Sequence, residues 1–380
     1  MSFSRTRRGT LASIAAEVGV SRTTVSNAYN RPDQLSPQLR ERILTTAARM
    51  GYPGPDPTAR SLRTRHAGAI GVLLTEDMTY AFEDQASLEF VSGVSVACSS
   101  MDASMLLIPA GAGAAHDHSD PAARAAQLVS QAAVDGFIVY SVAADDPFLT
   151  AVEHRGLPTV ICDQPVDARG ADFVGIDDRQ AIKPAVRHLV EAGHRAIGVL
   201  CIRLDRTPNN GPVSTQRLAK AHMHVQRSRV LGVLDVLEEA TGQPCTPENV
   251  PIVERHINNE ATAYSAAEEL LTANPDLTAV VCTTDSLALG VAAYAEDSAL
   301  SIPQDLSLTG FDGIPQATDH GITTVRQPSR TKGLTAGEML DQRIKEVDAK
   351  RSPTARNKPA RKVQLDTELV PGSSIAPPRR

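Results

Sequence analysis

Residues 11–30, LASIAAEVGVSRTTVSNAYN, carry two short helices and a sharp turn between them, so a chain with this stretch must build a small helical head around it. Leu11, Ile14, Ala15 and Val18 recur at helical spacing, Gly19 breaks the run, and Ser21 is placed to N-cap a second helix through Val25 to Tyr29. The pattern predicts a helix-turn-helix. Its second helix turns Arg22, Thr23, Thr24 and Asn27 away from Val25 and Ala28, and such side chains hydrogen-bond base edges and phosphates in a major groove. A helical hairpin inside some other core is the alternative reading. Ser36-Pro37 opens a third helix with Leu39, Ile43, Ala47 and Met50 on its buried stripe, ending at Gly51. Beyond it, YPGPDPTARSLRTRHAG has three prolines, and Pro57 can start a helix over Thr58–Thr64 that is too short to persist alone in water.

Charge separates head from body. Residues 1–65 hold eleven arginines, no lysine and four acidic residues, a net of +7, against −13 for the remainder and −6 overall. A basic head on an acidic body steers towards phosphate without making the whole chain a polyanion binder. Arg5, Arg7 and Arg8 read as a basic arm, with a general bias towards arginine as the simpler explanation.

The body alternates apolar runs with helical segments. Strands are expected at 69–74, 104–108, 136–140, 159–162, 173–176, 196–201, 278–282 and 306–309, with helices such as Ala122–Ala133 and Gln180–Glu191 between them. This order implies α/β lobes with doubly wound parallel sheets, whose ligands sit beyond the carboxyl ends of the strands. Asp163, Asp177, Asp285 and Asp312 each follow such a strand, and Arg229 can return a forked donor. Asp177 and Asp285 have a second reading, as helix caps or loop braces. The inventory suits a neutral polyol. Cys162, Cys201 and Cys282 read as small core residues of strands.

The run TLASIAAEVGVSRTTVSNAYN, then Leu35-Ser36-Pro37, Arg40, Gly51-Tyr52-Pro53 and Ala59-Arg60-Ser61-Leu62, resembles the lactose-repressor (LacI) family of bacterial regulators. So do VDGFIVY, LPTVICDQP, FVGIDDRQA, HLVEAGHRAIGVL, RVLGVLDVL, TAVVCTTDSLALG, IPQDLSLTGFDGIP and ITTVRQP, which cover nearly the whole body. The resemblance implies an all-α helix-turn-helix head over 1–55, a hinge helix and linker over 56–66, and a two-lobed, periplasmic-binding-protein-like effector and dimerisation domain over 67–380. It also implies that the hinge forms on operator DNA and that Leu62 wedges into a minor-groove step. The extra residue at Gly54-Pro55-Asp56 departs from the family pattern. The DNA-facing set expected is Thr10, Ser21, Arg22, Thr23, Thr24, Ser26, Asn27, Tyr29, Ala59, Arg60 and Leu62. By the same resemblance Arg229, Thr284, Asp312 and Gln327 match effector-contacting positions, Asp163 lies where contact is common, and Tyr80 and Phe82 lie on the first mouth loop. Asn258-Asn259 stands where sugar- and purine-binding relatives place an aromatic platform, which makes Asn259 a candidate contact and a cyclitol such as myo-inositol the sharper expectation. Tyr80, Phe82 or Tyr264 could supply the missing ring, and ribose or a nucleoside is the alternative ligand.

Other readings fare worse. His116-Asp117-His118 with Asp120 lacks a fourth ligand at metal spacing, so no metal or cofactor is expected. Residues 204–227 read as a mobile loop near the cleft mouth, a solvated insertion in preference to a lid. No nucleophile elbow or phosphate loop supports catalysis, which leaves a carbohydrate-processing enzyme as the distant alternative. Without an apolar leader or spanning segment, the expectation is a cytoplasmic protein with no membrane partner. The tail GSSIAPPRR has no leucine heptads, so the expected assembly is a homodimer on double-stranded, pseudo-palindromic operator DNA. It is expected to act as a repressor, with activation the alternative, and a co-repressing ligand is the same linkage as an inducing one with opposite sign.

Overall fold

In the computed structural model, which describes residues 9–52, 54, 61, 66–74, 78–109, 120–168, 170–349 and 359–379, the N-terminal unit is built from helices Leu11–Val18, Arg22–Asn30 and Pro37–Arg49. Each has a side-chain cap. Thr10 and Ser13 form a reciprocal capping box, Ser21 accepts from Thr24 N at 3.0 Å, and Ser36 accepts from Leu39 N. Gly19 turns the chain at φ +74°, a conformation that favours glycine. The periodic residues Ile14, Val18, Val25, Ile43 and Ala47 close the head's core. Arg40 Nε donates to Ala28 O at 3.3 Å and Arg42 Nη2 to Val18 O, so two of the head's arginines serve carbonyls at helix ends.

The chain divides into units Met1–Gly68 and Ala69–Arg380. The second contains two sheets. In the first, β1 (Ala69–Leu74), β2 (Ser104–Pro109), β3 (Gly136–Tyr140), β4 (Thr159–Cys162) and β5 (Asp172–Gly175) are parallel. The second holds β6 (Ile197–Ile202), β7 (Gly211–Pro212), β8 (Ile252–Arg255), β9 (Ala279–Cys282) and β10 (Ser307–Thr309) in the order β10-β9-β6-β8-β7, with only β7 antiparallel. β11 (Thr324–Arg326) pairs with β13 (Glu368–Val370), while β12 (Lys362–Gln364) returns to the first sheet, whose order is β12-β5-β4-β3-β1-β2. The chain thus crosses between lobes three times, after β5, after β11 and after β12. Leu365, at the last crossing, packs against the cores of both lobes.

Two expectations change. The helix foreseen over Gln180–Glu191 is two, Asp178–Ala181 and Lys183–Glu191, because the ring of Pro184 is incompatible with a helical carbonyl at Gln180. Residues 204–227 are not a solvated loop. They carry β7, helix Thr215–Ala219 and the first turn of helix His224–Thr241. They fold around the fully buried Glu254, whose carboxylate accepts from Arg217 at 2.8 Å, Asn209 at 3.0 Å and Leu204 N at 2.8 Å. Cys162, Cys201 and Cys282 are buried in strands, as their surroundings predict.

Helix Ser329–Ala349 crosses Gln85–Ser100 with no room to spare. A Cβ on Gly93 would lie 2.0 Å from Arg330 O, and one on Gly333 would lie 2.0 Å from Phe90 O. Backbone cannot yield as a side chain does, so Gly333→Ala should cost at least the ~1–3 kcal/mol typical of overpacking. Urea unfolding checks this as a lower midpoint at unchanged slope. An unshifted midpoint would show that the helices can separate freely.

Candidate functional site

On the head, the second helix presents exposed Arg22 and Thr23, while Thr24, Ser26 and Asn27 are half-buried. The expected DNA-facing residues therefore divide. Thr10 and Ser21 hold helix caps, Ser26 accepts from Asn30 Nδ2, and Asn27 donates to Gln34 Oε1 at 3.2 Å. Tyr29 packs edge-on against Tyr52 at 6.0 Å, as part of the core rim. Ala59, Arg60 and Leu62 lie outside the described residues, as do His116, Asp117 and His118.

In the body, the carboxyl ends of strands deliver a chain of buried polar groups to the crossing between lobes. Arg229, on helix His224–Thr241, donates from Nε to Asp178 Oδ1 at 2.8 Å and from Nη1 to Thr283 O at 2.8 Å and Asp312 Oδ1 at 3.3 Å. Its guanidinium lies 3.7 Å from the centre of the Phe311 ring. Gln327 Nε2 donates to the same Asp312 oxygen at 2.6 Å, and Gln327 Oε1 accepts from Lys332 Nζ at 2.7 Å. Lys332 Nζ also meets both oxygens of Asp163 at 2.8 Å. Asp178, Arg229, Asp312, Gln327, Lys332 and Asp163 thus join the lobes without a break. An open cavity of about 380 Å³ borders two members of this chain, Asp312 and Gln327, with Glu89, Arg326 and Arg330 also in its lining.

Burial sets the protonation of this site. It pushes the Asp312 carboxyl up to about 8 despite the adjacent Arg229, and raises Asp178 as well. Burial opposes the charge on Arg229, yet Asp178 and Asp312 hold it above its ordinary range.

Of the expected contacts, Arg229, Asp312, Gln327 and Asp163 come together in this chain. Thr284 lies beside it, capping Leu287 N and donating to buried Asn258. Asp177 and Asn259 are exposed N-caps of helices Asp178–Ala181 and Glu260–Ala273, and their buried neighbours Asp178 and Asn258 face inwards. Asp285 braces the fold, accepting from Thr324 Oγ1 at 2.6 Å and Ile314 N at 2.8 Å, and burial pushes it up to about 6. Phe82 is exposed, and Tyr80 lies on the helix Met78–Glu83 with its side chain outside the description. Tyr264 donates to Asp297 and packs on Tyr294, at the surface. Phe311, a ring at the site, is covered by Arg229.

Sequence reasoning missed Lys332, Gln164 and Gln226. Lys332 shares helical spacing with buried Ala336, Met339 and Leu340, a signal that it points inwards. The buried amide oxygen of Gln226, three residues before Arg229, and the hydroxyl of Thr283 have no hydrogen-bond partner among the described residues, two unmet bonds in the second lobe.

Residues 10–54 match the profile of bacterial regulatory proteins of the lacI family, and residues 186–375 that of a periplasmic binding protein-like domain. The chain is similar to the HTH-type transcriptional regulator IpsA of Corynebacterium glutamicum, 53% identical over 97% of this chain and 98% of that protein. A crystal structure of a LacI-family transcriptional regulator from Corynebacterium glutamicum superposes with TM-score 0.72 at 48% identity, covering 97% and 99% of the two chains. The lac repressor dimer bound to operator and the anti-inducer ONPF has the same fold, with TM-score 0.73 at 20% identity, covering 97% and 100%. Among the described residues no helix is long and apolar enough to cross a membrane.

The raised Asp312 and Asp285 carboxyls make stability depend on pH with a defined sign. A carboxyl whose folded value is raised binds its proton in the native state first. Its contribution is complete below the ordinary carboxylate value of about 4 and is lost as pH rises through the folded value, here about 6 for Asp285 and about 8 for Asp312. The thermal midpoint should therefore fall as pH rises from about 4 to about 8, with Asp285 contributing only up to about 6, and Asp312→Asn, neutral at every pH, should flatten that fall, most completely above about pH 6. Parallel curves for the two proteins would remove Asp312 as its source.

Proposed function

Because the chain belongs to the lacI family of bacterial regulatory proteins and is a transcriptional regulator, we propose that it represses transcription as a homodimer on a pseudo-palindromic operator, in the cytoplasm, under the control of a small neutral polyol. Exposed Arg22 and Thr23, carried on a capped second helix, support reading in the major groove. Two heads require a twofold site. Residues 57–64 serve as the hinge, with Leu62 wedged into the central minor groove, where kinking is offset by added contact.

The effector half rests on one observation, the charge balance of the polar chain. Lys332 pairs with Asp163 and Arg229 with Asp178, while the remaining carboxyl, Asp312, is held protonated at neutral pH. The site is then close to neutral and unsuited to an anion. Asp312 Oδ2–H and Arg229 Nη2, which take no part in the bonds described, can both donate to the oxygens of adjacent hydroxyls. With Phe311 covered, stacking on a flat base is not offered there, so myo-inositol is the first ligand to try and ribose its competitor. Ligand between the lobes changes the separation of the two hinges and disfavours their paired helices. Moving occupancy from about 99:1 to about 1:99 requires about 5.5 kcal/mol of differential affinity, shared between two sites.

Calorimetry with myo-inositol and ribose, alongside operator release followed by fluorescence anisotropy, tests this directly, and binding of neither compound would overturn the polyol reading. Arg22→Ala should lower specific operator affinity by about 1–3 kcal/mol with a smaller loss on random DNA, seen by anisotropy against both duplexes. Leu62→Ala should likewise weaken the operator complex while leaving the salt dependence of non-specific binding unchanged, since it removes a wedge and no charge. Equal losses on both duplexes would refute the wedge.

A further inference from the structure

Beside the chain of buried polar groups, a second set of contacts joins the lobes. Gln164 follows β4 in the first lobe and is 1% exposed. Its Nε2 donates to Ser141 O at 3.1 Å and reaches Met223 Sδ at 3.5 Å, while its Oε1 accepts from Val225 N at 2.9 Å. Val225 lies in the first turn of helix His224–Thr241, whose N-cap Met223 offers no side-chain cap. Gln164 therefore caps, from the first lobe, a helix of the second. Arg206, on the segment folded around Glu254, donates to Asp145 O at 3.0 Å and approaches the Asp146 carboxylate at 3.6 Å, both residues of the first lobe. Asp146 is also anchored, capping helix Pro147–Arg155 through Phe148 N at 2.8 Å. Ser141, Asp163 and Arg203, at the carboxyl ends of β3, β4 and β6, all have positive φ, a strain that clusters at ligand clamps.

We propose that residues 203–225 form an interlobe latch, with Gln164 and Arg206 as its specificity-determining contacts, that limits the effector cleft to compact, single-ring polyols. This rests on the effector reading above. Asp163 and Gln164 are consecutive, so the loop after β4 that supplies the polar chain's carboxylate also holds the latch. In the latch as proposed, a ligand that extends past a single ring between the lobes breaks the Gln164–Val225 bond. Breaking it strands a buried amide and a helix-end N–H, so a disaccharide is disfavoured and a single ring is enclosed.

The test uses full-length wild type, Gln164→Ala and Arg206→Ala, with amide exchange of the peptide around Val225 measured without ligand and calorimetry with myo-inositol and cellobiose as probes. In Gln164→Ala the Val225 amide should exchange about tenfold faster, equivalent to about 1.4 kcal/mol, with a smaller change in Arg206→Ala. Cellobiose should fail to bind wild type and gain affinity in both variants, while myo-inositol weakens. Unchanged exchange in both variants overturns the latch whatever the ligands do. Cellobiose binding wild type as tightly as myo-inositol overturns its selectivity. Altered exchange with no response to either compound in any protein would leave the latch standing as a structural bridge and overturn the effector reading.

Discussion

A fully buried ammonium on helix Ser329–Ala349 must find a carboxylate, and Lys332 finds Asp163 at the end of β4. Removing either partner would strand a buried charge, at a cost of about 3–5 kcal/mol, whereas replacing both by well-packed apolar groups is often neutral. The pair is thus a poor route to stability and a good way to fix geometry. It holds the start of the crossing helix against the first sheet, which places Gln327 where its amide bonds both Lys332 and Asp312. Through Asp312 the same constraint reaches Arg229 in the second lobe. Relative movement of the lobes must break or exchange at least one of these bonds.

The fold was largely legible because its signals are local. Helical spacing, Gly19 and Ser21 give the head without tertiary information, and the alternating runs give two doubly wound lobes. The site was legible to within one residue in places. Asp177 and Asp178 look alike in sequence, as do Asn258 and Asn259; one helix starts after Asp177 and the other after Asn259, so Asp177 and Asn259 cap while Asp178 and Asn258 turn inwards. Lys332 and Gln164 were hidden for a different reason. Each is a polar residue satisfied only by partners far away in sequence, 169 positions for Lys332 with Asp163 and 61 for Gln164 with Val225. Segment 204–227 was misread because Glu254, the charge it folds around, is supplied by β8.

The head shows why arginine content overstates a nucleic-acid interface. Arg40 and Arg42 serve helix carbonyls, and Arg49 pairs with Glu17 at the surface. Those side chains make the head compact, and their charge still adds to long-range attraction. The proposed sequence-specific contact rests instead on the small exposed set at the start of the second helix, where Arg22 and Thr23 remain accessible.

A neutral effector also limits how the proposed signal can travel. The head carries +7 and the rest of the chain −13, and an uncharged polyol alters neither figure. Electrostatic attraction to the operator, the component that depends most on salt, is then the same with the cleft filled or empty. What can change is the arrangement of the lobes, held by one set of contacts through Lys332, Gln327 and Arg229 and by a second through Gln164 and Arg206. By linkage, any preference of the ligand for one arrangement must reappear as an equal effect of operator on ligand affinity. The coupling is therefore bounded by the free energy with which these two sets of contacts distinguish the arrangements, since a ligand that met both equally would shift nothing.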